Sequence, residues 1–144
     1  MPPEADHPIA VRMENITRQF PGVIANQDVH LQVASGTFHA LIGENGAGKS
    51  TLLNILYGRL RPDKGRIFLN GNEVTNTLKS PADAIKLGVG MVSQHYALIP
   101  ALTVLENVML GMEPTFGMGL LRKKEAAERI QTLASQLQIG RAHV

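Results

Sequence analysis

Apolar and polar positions follow two different periods along this chain, and the switches between them mark out its elements. Residues 10–16 and 29–33 carry short apolar runs of the strand type, and Phe20-Pro21-Gly22 supplies a turn between them. A third strand is predicted over residues 37–42, running directly into a glycine-rich stretch. Beyond that stretch, Leu52, Leu53, Ile55 and Leu56 recur at spacings that suit a largely buried helix over residues 49–57, with Gly58 as its C-terminal cap. Residues 66–69 read as a strand, and Asn70-Gly71 is the strongest short hairpin signal in the sequence, so a small antiparallel element is expected there. Ser80 and Pro81 open a short helix that Gly88 closes. Residues 89–92 predict another strand. Thr103 and Glu106 have the spacing of a capping box for a helix ending near Gly111. Ala126, Ile130, Leu133 and Leu137 then repeat at helical intervals, with Arg122 to Lys124 and Glu128 on a solvated opposite side. Strands alternating with helices predict an α/β layered domain.

The glycine-rich stretch is GENGAGKST, residues 43–51. Gly43, Gly48, Lys49 and Ser50 satisfy G-x-x-x-x-G-K-[ST], and they do so between a predicted strand and a predicted helix, the context that a phosphate-binding loop requires. A polyphosphate is held best by several backbone N–H groups turned inward together, which side chains at the points of closest approach would obstruct. The glycines remove that obstruction and can take positive φ, while the helix beginning near Lys49 adds the partial positive charge of its N-terminus. The backbone of Gly43, Glu44, Asn45, Gly46, Ala47 and Gly48 is therefore expected to wrap the phosphates. Lys49 would reach the β- and γ-phosphates, the Ser50 hydroxyl would ligate Mg²⁺, and Thr51 would face the α-phosphate. The loop implies a nucleoside triphosphate with Mg²⁺.

Composition narrows the surroundings of this site. The 144 residues are 44% hydrophobic and 18% charged, the profile of an ordinary globular domain able to bury a core. Fourteen basic residues are interspersed with 12 acidic ones for a net charge of +2, so no dense cationic face is expected and nucleic acid is not the expected partner. Cysteine is absent, which removes disulfides and thiolate metal sites. The first residues, MPPEADHP, lack the pattern of a secretory signal. The most apolar region, residues 89–112, is interrupted by Gln94, His95, Pro100, Glu106 and Asn107, so a membrane association would be peripheral or through a partner. His30 and His95 have no ligand-like grouping, and His39 is expected to pack within its strand.

The stretch LIGENGAGKSTLLNILYGRLRPDKGRIFLNG, continued by VGMVSQHYALIPALTVLENVMLG, resembles the start of the nucleotide-binding domain of ATP-binding cassette transporters. The resemblance implies a P-loop ATPase core joined to an antiparallel β subdomain, with ATP as the cofactor beside Mg²⁺. It also implies that Phe20, 29 positions before Lys49 (49 − 20 = 29), stacks on the adenine, although a packed core phenylalanine remains open. Gln94 matches the glutamine that in this family reaches Mg²⁺ or the attacking water and couples nucleotide state to the membrane subunit. The catalytic residues implied are Lys49 and Gln94, and the metal-binding ones Ser50 and Gln94. ITRQFPGVIANQDVHL, LYGRLRPDKG, SPADAIKLGVGMVSQH and LENVMLGMEP look most like importers of simple sugars and nucleosides. Implied partners are membrane-spanning permease subunits, a solute-binding protein and a second ATPase domain, at the cytoplasmic face of the cell membrane.

The family's LSGGQ signature, its second strand ending in Asp-Glu and its switch histidine do not occur in the sequence. Residues 139–144, IGRAHV, look like the translation of a sequencing adapter. The expected organisation is a short tail over residues 1–8, the N-terminal part of an ATPase domain over 9–138, truncated before those motifs, and a non-native end. Two further functions stay open: a soluble P-loop ATPase not tied to transport, and a non-catalytic fragment that at most binds nucleotide. Guanine-nucleotide motifs, Asp-x-x-Gly after the loop and Asn-Lys-x-Asp, are absent.

Overall fold

The computed structural model describes residues 7–93, 98–110 and 123–139. The chain divides into two compact units, residues 1–92 and 93–144. In the first, β1 (Ile9–Phe20) and β2 (Val23–Ala34) form a long hairpin, followed by α1 (Lys49–Leu56), β3 (Lys64–Leu69), β4 (Asn72–Glu73) and α2 (Pro81–Lys86). The strands make one antiparallel sheet in the order β2-β1-β3-β4.

Both hairpin strands run to 12 residues, well past the apolar runs that announce them. The extension is polar and irregular. Register shifts interrupt the β1–β2 ladder around Ile16, where Asn15 takes φ 53°, and Asp28 opposite takes φ 47°. Such bulges break strict alternation while letting pairing continue to Phe20↔Val23. The Asn70-Gly71 turn is as expected: φ values of 48° and 81° place both residues in the left-handed region that a two-residue hairpin of this twist demands.

One face of the sheet supplies Met13, Ile16, Ile67 and Leu69 to the core, where they meet Leu52 and Ile55 of α1 together with Val74, Leu78 and Ala84. The helix is less enclosed than its composition suggests, since Leu53 is exposed and only Leu52 and Ile55 are fully buried. It ends in a Schellman arrangement, with the Gly58 N–H on Ile55 O (3.0 Å) and the Arg59 N–H on Asn54 O (2.9 Å). The opposite sheet face is polar: Arg66 pairs with Glu14 at 2.8 Å, and the Arg12 guanidinium lies 4.2 Å over the Phe68 ring.

Two predicted strands do not form. Residues 37–42 and 89–92 have no ladder partner among the described residues, and Phe38, Ile42 and Val92 stand open to solvent. His39 is exposed with them. An apolar run becomes a strand only when a neighbour accepts its backbone hydrogen bonds, and the sheet formed here closes on β2 and β4 without reaching these segments.

The second unit holds α3 (Val104–Met109) and α4 (Lys123–Gln136). The capping box is present in full, with Thr103 Oγ1 accepting from the Glu106 N–H and the Glu106 carboxylate accepting from the Thr103 N–H at 3.0 Å. Met109 and Ala126 are buried, whereas Leu133 on the apolar stripe of α4 and Leu137 just past its end are exposed. Gln94 and His95, Arg122, and residues 140–144 lie outside the described residues.

Candidate functional site

The phosphate-binding sequence folds as an exposed loop that delivers the chain into α1. Gly48 is the N-cap, at φ 82°, and it has no side chain with which to cap the helix. No acidic residue stands in the first turn either. The positive end of α1 is thus left for a ligand to neutralise. Gly46 shares the left-handed conformation, at φ 85°. Gly43 does not, and a Cβ built there would meet only ordinary contacts, the nearest 3.5 Å away at Ala47 Cβ. The expectation of positive φ therefore holds for two of the three loop glycines. At Gly43 the chain enters the loop in a conformation open to any residue.

Lys49 folds back across the loop, its Nζ donating to Gly43 O (2.7 Å) and Glu44 O (2.6 Å), while the Ala47 N–H closes the turn on Glu44 O (3.2 Å). The ammonium is held over the concave side by carbonyls that an anion would readily replace as its partners. Glu44, Asn45, Gly46 and Ala47 are exposed, as is Ser50 at the first turn of the helix; Thr51 is half-buried beside it. A Cβ at Gly46 would meet nothing within 4 Å, so the loop has open space on that side.

What seats the loop is a contact the sequence did not advertise. Asn26, on β2 and only 5% exposed, donates from Nδ2 to Gly48 O at 3.3 Å, and that carbonyl also accepts the Leu52 N–H at 2.9 Å. The one available signal was a polar residue at an inward position of the strand. Gly48 presses so closely on Ala25 and Asn26 that a Cβ would sit 2.1 Å from Ala25 O.

The same hairpin carries the other half of the site, Phe20 at the end of β1. Phe20 pairs with Val23 at the hairpin end. Val23 precedes the Ala25–Asn26 contact by two to three residues, roughly 7–10 Å of extended chain. β2 thus holds the aromatic ring and the start of α1 at opposite ends of a short span. Phe20 is partly exposed, with the Arg18 guanidinium 4.8 Å from its centroid. Arg18 is paired with Asp63 at 2.7 Å. The Gln19 N–H, also donating to Asp63, and then the Arg18 charge hold that carboxyl below its ordinary value. Its contribution to stability is therefore present above the unfolded value of about 3.9 and lost as pH falls through the lower folded value. The expected result is that Asp63→Asn melts below the parent by a constant margin from about pH 5 to 7, a margin that closes below about pH 4. Thermal melts across that range check it; a margin independent of pH would contradict the ion pair.

Sheet, loop and helix together define a P-loop ATPase core. A model of the ABC transporter family matches residues 26–143, and the chain belongs to that family. Over 126 residues it is 44% identical to the guanosine import ATP-binding protein NupO of Bacillus subtilis, covering 88% of this chain and 24% of the relative. It is 57% identical over 101 residues to the glucose import ATP-binding protein TsgD13 of Haloferax volcanii, covering 70% of this chain and 18% of the relative. The chain thus spans about a quarter or less of the length of these relatives. Among solved structures, it superimposes on a nucleotide-free ATP-binding cassette from an ABC transporter with a TM-score of 0.76 at 29% identity, covering 91% of this chain and 55% of that one.

Proposed function

We propose that this chain forms the nucleotide-binding part of the ATP-hydrolysing, energy-coupling subunit of an importer for simple sugars or nucleosides. The observation that carries the reading is the uncapped N-terminus of α1 framed by two left-handed glycines, with the Lys49 ammonium folded over it. These groups fit a triphosphate: N–H donors from the loop and first helical turn, one positive charge and open space beside Gly46. With nucleotide bound, Lys49 would exchange its two carbonyl partners, Gly43 O and Glu44 O, for phosphate oxygens. The exposed Ser50 hydroxyl would hold the metal, and the resemblance assigns Gln94, outside the described residues, to the metal or the attacking water. Magnesium, when bound, neutralises charge on the phosphates. Phe20 receives the adenine.

The whole protein works at the cytoplasmic face of the cell membrane with permease subunits, a solute-binding protein and a second ATPase domain. No described helix is long and apolar enough to cross a membrane. The named activities of the relatives, guanosine and glucose import, support the solute class. In cells deleted for the gene, the whole protein of which this chain is part should restore uptake of a labelled simple sugar or nucleoside, and Ser50→Ala in it should abolish that uptake. Steady ATP turnover by the whole protein with uptake of neither class restored would defeat the importer reading.

A further inference from the structure

We infer that Arg18 is a positioning residue for base recognition, backing one face of the Phe20 ring so that the opposite face is presented to adenine. The inference rests on Phe20 being the base platform proposed above. Arg18 and Phe20 stand two apart on β1, on one side of the strand, and the guanidinium carbon lies 4.8 Å from the ring centroid. Arg18 is itself fixed from a distant part of the chain. Asp63, just ahead of β3, accepts from Arg18 Nη1 and from the Gln19 N–H, both at 2.7 Å, and donates its own N–H to Thr17 O at 2.8 Å. Three successive residues of β1 are thereby clamped by one carboxylate residue, and the hairpin end that carries Phe20 is held by them.

The cost of the arrangement points to its use. Arg18 Nε is buried and makes no hydrogen bond, so the guanidinium plane lies where ring contact is made and an edge donor goes unused. A surface ion pair serving only to staple a hairpin gains nothing from that sacrifice. Stacked on the ring, the cation restricts it to one orientation and occupies the face that would otherwise compete for the base.

Binding of Mg·ATP and of Mg·tripolyphosphate, which lacks base and ribose, separates positioning from mere structural support. Phe20→Ala in the full chain should weaken Mg·ATP about tenfold and leave Mg·tripolyphosphate unchanged. Arg18→Ala should weaken Mg·ATP about three- to fivefold, again without changing tripolyphosphate, and should have no further effect once Phe20 is alanine. Asp63→Asn, which frees the guanidinium without removing it, should give the same selective loss and keeps the test open if Arg18→Ala does not fold. Equal losses for both ligands, or no loss from Arg18→Ala and Asp63→Asn while Phe20→Ala is impaired, would overturn the positioning role and leave the platform standing. Unchanged Mg·ATP affinity in Phe20→Ala would remove the platform itself, and Arg18 with it.

Discussion

Gly48→Ala is expected to destabilise the first unit by about 3 kcal/mol or more and to lower its melting temperature by more than about 10 °C. Two costs add. A residue with a Cβ at φ 82° gives up about 1–2 kcal/mol. The new methyl group would also stand 2.1 Å from Ala25 O and 2.7 Å from Asn26 Nδ2, both on β2, so either the strand or the helix start must shift. The first turn of α1 would move with it, and nucleotide binding should fail even in whatever fraction stays folded. Gly46→Ala is the built-in comparison: its φ of 85° carries the same conformational cost, but the methyl group would meet nothing within 4 Å. It should therefore lose only that conformational cost of about 1–2 kcal/mol, at about 4–8 °C for each kcal/mol, and melt clearly above Gly48→Ala. If calorimetric melts of the two variants coincide, the close approach of Gly48 to β2 is not what holds the loop.

Lys49→Ala should leave the fold intact and weaken Mg·ATP by about ten- to a hundredfold, the equivalent of roughly 1.5–3 kcal/mol for charge-assisted hydrogen bonds to phosphate. The side chain contributes nothing to the buried cluster, and its two present partners, Gly43 O and Glu44 O, are exposed carbonyls that water can satisfy. Lys49→Arg should recover only part of the loss, because a planar fork does not replace a compact point charge within a tight loop. Titration calorimetry on the full chain reads both constants. Affinity unchanged in the alanine variant would mean that the ammonium is a brace for the loop and not a phosphate ligand.

Much of both units could be read in advance where the signal is local. Asn70-Gly71 determines its own turn, Ser80-Pro81 and Thr103/Glu106 determine their own helix starts, and Gly58 closes α1 because backbone conformation at these positions depends on residues within one turn. Failures came where pairing or burial depends on distant chain. The hairpin extends beyond its apolar runs because bulges at Asn15 and Asp28 let polar residues keep pairing, and residues 37–42 stay unpaired although their composition suits a strand. The site divides the same way. Its motif residues from Gly43 to Thr51 could be named from spacing, whereas Asn26 beneath Gly48, and Arg18 held by a carboxylate 45 positions away, could not.

By itself, then, the order of residues determined the chemistry of the loop: which positions lack side chains, where the charge sits and where a helix begins. Those are properties of short segments, set by sterics and capping within a few residues. Tertiary structure alone decided that β2 would pair with the aromatic end of β1 and floor the loop two to three residues on, and that Asp63 would lock the residue beside that ring. Such relations arise only when strands far apart in sequence choose partners and register, a choice governed by the packing of the whole core and not by any pattern within one of its pieces.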